Sequence, residues 1–294
     1  MTDATQNLPR DTLLHITDIH FWEIVRNPLQ LLNKRFLGNL NVILRRRRAF
    51  DTSHATAFAD ALVATGVRFL FAGGDFTSTA TDEEFRQAAT FLEDLTGRGM
   101  QVIIIPGNHD VYTFESVRKR RFERHLAAFL PAAGYPCRLT LPGGTPMVLV
   151  PTVCPNWLSS RGRIADADVD RVARLVADAP SGPLIVGSHY PVLHATEGYA
   201  SGRMRRLRNA EALRRALVGA AAQRPIFFLA GHVHRFSDQH DPEAPRLRHC
   251  TTPALFHRHR HGDITGAFSE IHVGREDFLV FRHTLRHGVW QRSP

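Results

Sequence analysis

Five short clusters of carboxylate, imidazole and amide side chains punctuate the chain: Asp18-Ile19-His20, Gly73-Gly74-Asp75, Gly107-Asn108-His109-Asp110, Gly187-Ser188-His189 and Gly231-His232-Val233-His234. Oxygen and imidazole donors in this mixture suit Mn²⁺, Fe²⁺/Fe³⁺ or Zn²⁺ and exclude a thiolate site. Asp18, His20, Asp75, Asn108, His189, His232 and His234 are the candidate metal ligands. They exceed the needs of one ion, whereas two ions sharing a bridging carboxylate would use them all. Asp18 and His20 lie two residues apart, so on an extended chain their side chains leave on the same side. The same holds for His232 and His234 if that stretch stays extended. Glycines ahead of Asp75, Asn108, His189 and His232 permit tight turns and close backbone approach. Taken singly, each cluster has a plainer reading. A histidine after a strand is more often structural, Asn108 alone could be a turn residue, and 17 histidines produce some coincidences. Five such clusters in order are far more specific.

Each cluster follows an apolar run. The runs at 13–17, 67–72, 102–105, 184–186 and 226–230, with another at 147–150, have the length and composition of buried strands. Helical patterns fall between them at 53–65, 81–96, 166–177 and 209–222. Thr81 followed by Glu84 reads as a capping box. Alternating strands and helices predict an α/β sandwich on a central sheet, whose strand carboxyl ends form the ligand-binding edge. Strands at 247–251, 267–273 and 278–283, with no helix between them, predict added antiparallel pairing. With neither a linker nor a repeat, residues 1–294 read as one domain.

One segment breaks the alternation. Residues 28–50 place Leu29, Leu32, Phe36, Leu40 and Ile43 at helical spacing, then run into Arg45-Arg46-Arg47-Arg48. This inserted basic amphipathic helix either packs on the core with its arginine end solvated, or lies on an anionic membrane face or binds an acyl chain.

The chain has 294 residues and a formal net charge of +9, which favours anionic partners unless it only reflects coding bias. Cys137, Cys154 and Cys250 make no disulfide framework and predict a reducing, cytoplasmic setting. Residues 1–10 lack the apolar core of a secretory signal, and no apolar run reaches membrane-spanning length. The expected localisation is cytoplasmic, with peripheral contact at the inner membrane face through 28–50.

The five blocks resemble those of the calcineurin-like metallophosphoesterases: Asp-x-His, Gly-Asp, Gly-Asn-His-Asp, a histidine after a strand, and Gly-His-x-His. The resemblance implies a four-layer α-β-β-α sandwich with mixed sheets. It implies one ion held by Asp18, His20, Asp75 and His234 and a second held by Asp75, Asn108, His189 and His232. The ions would be Mn or Fe, with Zn as the third candidate. The Asp18 and Asn108 blocks are similar to the bacterial class III cyclic-nucleotide phosphodiesterases, implying a phosphodiesterase acting on a nucleotide-like ester by hydroxide attack. The insertion looks more like membrane-working members, including pyrophosphatases acting on UDP-2,3-diacylglucosamine. His109 is implied as the catalytic group that donates a proton or hydrogen bond to the leaving or phosphoryl oxygen. Family members often carry Asp or Asn where this chain has Ser78, so orientation of His109 is expected to fall to Asp110 or a water.

Substrate contacts are less legible. Arg203, Arg205, Arg206 and Arg208 lie between two blocks and suit phosphate, although a solvated basic loop is the plainer reading. His194 reads as a surface residue and 257–261 as an exposed hairpin tip. Basic residues do not interleave with aromatics, so no specific nucleic-acid partner is expected. A non-catalytic protein-binding scaffold would require lost ligand positions, and none is lost.

Overall fold

A computed structural model describes residues 9–199, 202–257 and 266–294. Two six-stranded mixed sheets carry the architecture. The first has the order β12 (Val289–Ser293), β11 (Phe278–Arg286), β10 (Ala267–Val273), β1 (Asp11–Ile16), β2 (Phe69–Ala72), β3 (Gln101–Ile104). The second runs β4 (Cys137–Thr140), β5 (Pro146–Val150), β6 (Leu184–Ser188), β7 (Ile226–Ala230), β9 (Leu247–Thr251), β8 (Ser237–His240). β1, β2 and β3 are parallel, as are β5, β6, β7 and β9; the remaining neighbours are antiparallel.

The helices are α1 (Arg35–Asn41), α2 (Arg47–Ala49), α3 (Ala55–Ala64), α4 (Asp82–Gly97), α5 (Phe114–Arg118), α6 (Arg121–His125), α7 (Asp166–Ala177) and α8 (Ala210–Ala221). Strand alternation sorts the side chains into layers. Leu13 and Phe71 meet Met147, Leu149, Ile185 and Phe227 between the sheets. Leu14, Ile16 and Leu70 face outward onto Phe58, Leu62, Phe85 and Leu92 of α3 and α4. On the far side, Val148, Val186 and Phe228 pack on Val172, Leu213 and Leu217 of α7 and α8. This is the four-layer α-β-β-α sandwich. Thr81 caps α4 reciprocally with Glu84, which satisfies two otherwise orphaned backbone donors.

The insert departs from the expected single helix. A 3-10 turn at Pro28–Leu31 precedes α1, a π-helical turn at Val42–Arg46 follows it, and α2 closes the segment. Its facing is inverted as well. Arg35, Gly38, Asn39 and Val42 are buried, whereas Leu29, Leu32, Phe36, Leu37, Leu40 and Leu44 are exposed. Polar bonds explain the inversion. The Asn39 amide donates to Val25 O and accepts from Val25 N (3.1 and 2.8 Å), and Arg35 donates to Thr79 O at 3.2 Å and pairs with Glu115 at 3.3 Å. At Gly38 a Cβ would stand 2.8 Å from Thr79, so only glycine allows this approach. The helix is therefore held by hydrogen bonds, and its apolar face is left outward.

The hairpin tip expected at 257–261 lies outside the described residues from 258 onward. His194 is exposed on the surface.

Candidate metal centre

The carboxyl ends of β1, β2 and β3 in the first sheet and of β6 and β7 in the second bring the five clusters together. They get there by a route different from the extended one expected. Asp18, His20, Asp75, His232 and His234 all have positive φ, between 53° and 68°. Non-glycine residues rarely adopt this region, although Asp and His tolerate it best, and such strain concentrates at functional sites. At Asp18, His20 and Asp75 paired backbones accompany it: Asp18 N donates to Gly74 O and His20 N to Asp75 O, both at 2.9 Å. Gly74 and Gly107 cross so closely that a Cβ on Gly107 would lie 2.1 Å from Asp75 N, and one on Gly74 2.5 Å from Gly107 N.

Three overlapping groups of side chains result: Asp18, His20 and His234 converge, as do Asp75, His189 and His232, and between them His20, Asp75 and His109, each group with its donor atoms within 4.8 Å of one another. Asp75 Oδ2 stands between the first two, 3.8 Å from His20 Nε2 and 3.4 Å from His189 Nε2. Asn108 Oδ1 lies 2.9 Å from His232 Nδ1 and 3.2 Å from His189 Nε2. Asp18 Oδ2 accepts from Thr17 Oγ1 and His232 N, but its buried Oδ1 has no hydrogen-bond partner. That oxygen faces His234 Nε2 at 3.0 Å without the alignment of a hydrogen bond.

The rings share one arrangement. His20 Nδ1 faces Thr77 O (3.2 Å), His189 Nδ1 faces Gly73 O (2.8 Å), and His232 Nε2 faces Arg205 O (2.8 Å). Each can donate outward to a carbonyl and aim a lone pair inward, which is how metal-binding imidazoles are oriented. Burial, reinforced for His20 by Arg46, pushes its pKa well below the ordinary value. Burial and His189 bring His232 down to about 3. For His189 burial opposes the charge, but the Asp75 carboxylate prevails and raises it to about 9. The donor set fits a pair of cations: four imidazoles, of which burial keeps His20 and His232 uncharged, two carboxylates, one of them with an orphaned oxygen, and an amide oxygen.

His109 adjoins this set. Its backbone N donates to Asp75 Oδ1 at 2.7 Å, and its Nδ1 faces Ser78 O at 2.7 Å. The orienting group is thus the main-chain carbonyl of Ser78, in place of Asp110 or a water. Asp110 accepts instead from the backbone N–H of Asp75, Thr77 and Gly107, locking the two loops together. Burial, reinforced by Asp75, raises its carboxyl to about 7. The Ser78 hydroxyl donates elsewhere, to His20 O at 3.3 Å.

A cavity of about 390 Å³ opens over the cluster, walled by Lys34, Arg46, Tyr112, Leu158, Tyr199 and Arg205 among others. Of the four arginines expected at the substrate, Arg205 lines this cavity. Arg206 Nε donates to Tyr199 O, and Arg208 to Asn156 Oδ1 at 3.4 Å. The Arg203 side chain lies outside the described residues. Lys34 and Arg46 reach the cavity from the insert and were not among the expected contacts. Nothing in the letters separates Arg46 from the arginines on either side of it.

Residues 12–236 match the sequence profile described as calcineurin-like phosphoesterase. No curated protein matches the chain significantly. Among solved structures, a dimetal phosphatase from Danio rerio superposes with a TM-score of 0.64 at 15% identity, covering 92% of this chain and 98% of its own. PhoD gives 0.65 at 9% identity, covering 98% and 69%. A purple acid phosphatase from yellow lupin (Lupinus luteus) seeds gives 0.58 at 12% identity, with 96% of this chain aligned to 52% of that one. At these identities the structural likeness concerns the fold.

Proposed function

This chain belongs to the calcineurin-like phosphoesterases, hydrolases of phosphoric esters, and on that premise we propose that it cleaves a phosphodiester of nucleotide-like type at a paired-metal site. In this reading Asp18, His20, Asp75 and His234 hold one ion, and Asp75, Asn108, His189 and His232 hold the other. The observation that carries it is the position of Asp75 Oδ2 between the two imidazole groups, within 3.8 Å of each. Such ions would supply Lewis acidity at a phosphoryl oxygen and a nucleophile at neutral pH. The chain's own side chains do the rest. Ser78 O, Thr77 O and Gly73 O fix the rings, Asp110 fixes the loops, and His109 turns Nε2 toward the cavity, where the leaving oxygen would sit.

Mn or Fe suits a set of carboxylate, amide and imidazole donors, with Zn third. Free Cys137, Cys154 and Cys250 accord with a reducing, cytoplasmic setting. The test is metal analysis joined to a substrate panel on protein loaded with Mn²⁺, Fe²⁺ or Zn²⁺. We expect about two ions per chain and faster turnover of a bis-aryl phosphate than of its monoester, with activity lost on chelation and restored by metal. Binding of no transition ion, or preference for monoesters, overturns the reading.

One observation favours a second reading, a pyrophosphatase for a lipid-linked nucleotide such as UDP-2,3-diacylglucosamine, working at a membrane face. The outward leucines of the insert stand beside exposed Arg45 and Arg47. Apolar and basic side chains together suit an anionic bilayer. No helix among the described residues is long and apolar enough to cross a membrane. Sedimentation with anionic vesicles tests this. Leu40→Ser with Leu44→Ser should abolish co-sedimentation and spare hydrolysis of the soluble ester; unchanged vesicle binding refutes the surface.

A further inference from the structure

The arginine run of the insert divides by environment. Arg45, Arg47 and Arg48 are exposed, whereas Arg46 is turned inward and lines the metal cavity. The π-helical turn at Val42–Arg46 accompanies the change. Such turns alter the angular spacing of a helix and recur at functional sites.

The hydrogen bonding of Arg46 is incomplete. Nη2 donates to His109 Nε2 at 2.7 Å. Nη1 lies 3.1 Å from His20 Nδ1, but that nitrogen also faces Thr77 O at 3.2 Å. A ring nitrogen that donates to a carbonyl has no lone pair with which to accept. A guanidinium has five N–H donors, so most of those on Arg46 have no protein acceptor. Among the described residues no carboxylate pairs with it, although Asp75 shares its cavity. Arg214, by contrast, is saturated by Asp241 at 2.6 Å, Glu243 at 2.8 Å and Glu211 at 3.3 Å. A cation left short of acceptors beside a candidate metal pair is suited to an anion that arrives with the substrate.

We propose that Arg46 binds a phosphoryl oxygen of the substrate, so that the insert supplies part of the substrate site as well as an outer face. The proposal rests on the phosphoester reading above. A planar, forked donor matches a phosphoryl group in two-point contact, which an ammonium cannot reproduce. Binding would exchange the Arg46–His109 bond for a charge-assisted bond to phosphate and leave the His109 Nε2 lone pair free.

The experiment titrates inorganic phosphate calorimetrically into the metal-loaded full chain, with metal content and melting temperature measured on each sample. Arg46→Gln should weaken phosphate about tenfold to a hundredfold, the usual scale for a charged hydrogen bond, with metal content unchanged and a raised KM for the diester. Arg46→Lys should recover only part of the loss. Arg48→Gln, which removes the same charge from an exposed position, should stay within about twofold of wild type. Phosphate binding by Arg46→Gln within about twofold of wild type overturns the proposal. So does an equal loss in Arg48→Gln, which would assign the effect to net charge, or a loss of metal along with phosphate, which would make Arg46 a support of the metal site. Should Arg46→Gln fail to fold, full-strength phosphate binding by Arg46→Lys is the refuting result. A wild-type chain that takes up metal but binds no phosphate refutes the phosphoester reading itself.

Discussion

Two clusters in this molecule set a buried carboxylate among imidazoles, and they treat it in opposite ways. On β10, Glu270 receives His272 Nε2 at 2.5 Å, His283 Nε2 at 2.7 Å, and Arg292 Nε and Nη2 at 3.1 and 2.9 Å. Burial alone would raise its pKa, yet these donors hold it down at about 2. In the metal pocket, Asp18 keeps one oxygen bonded and one orphaned. Burial keeps His20, His109 and His232 below the ordinary histidine value, so the rings beside the acids are mostly neutral. The Glu270 cluster completes its charge balance from within the chain. The pocket leaves acids short of donors and rings with inward lone pairs, which is the balance that added cations would complete.

Substitutions should separate the two clusters, and the largest effect is expected at Asp75. Asp75→Asn should remove both ions and reduce hydrolysis by more than the roughly 10–100-fold typical of outer-sphere partners; metal analysis and steady-state kinetics check it. Glu270→Gln should leave metal content intact, and equal metal loss in both variants would erase the distinction. Next is His109→Ala, expected to lower turnover on the order of a hundredfold while metal content holds. Retention of full turnover on every active substrate would remove its role.

A smaller effect belongs to stability. Glu270 has a depressed pKa, so its contribution is present above the ordinary carboxyl range and is lost as pH falls through about 2. Glu270→Gln should therefore melt about 2–5 °C below wild type at pH 7, with the gap narrowing toward pH 3. A gap that is constant over that range would show that the ionised carboxylate is not what stabilises the sheet edge. The least effect is expected from Ser78→Ala, less than about twofold in turnover, because the orienting atom is the main-chain carbonyl. A tenfold loss would return the orienting role to the hydroxyl.

Much of the frame was legible because burial leaves a compositional mark. The runs ending in Asp18, Asp75, Asn108, His189 and His232 became strands whose ends meet, and the Thr81–Glu84 pair became a capping box. β8, with the sequence Ser-Asp-Gln-His, has no apolar run and exists through its pairing with β9. β12 is short and largely exposed, and is ordered by β11. The insert misled for a related reason. Helical spacing of leucines marks an amphipathic helix but does not say which face the fold will hold. Here Arg35 and Asn39 found buried carbonyls, and the apolar face was left outward.

By itself the sequence determined the donor types, their order along the chain and the strands that carry them, since local composition and spacing encode these directly. Only the tertiary structure decided the rest. It set Asp18, His20, Asp75, His232 and His234 at positive φ, bonded the backbones of the Asp18–His20 and Gly74–Asp75 loops together, gave the orientation of His109 to a carbonyl, and sent one arginine of four into the cavity. Each of these depends on which backbone atom or helix face meets a neighbour from another part of the chain, and no single stretch of residues contains that information.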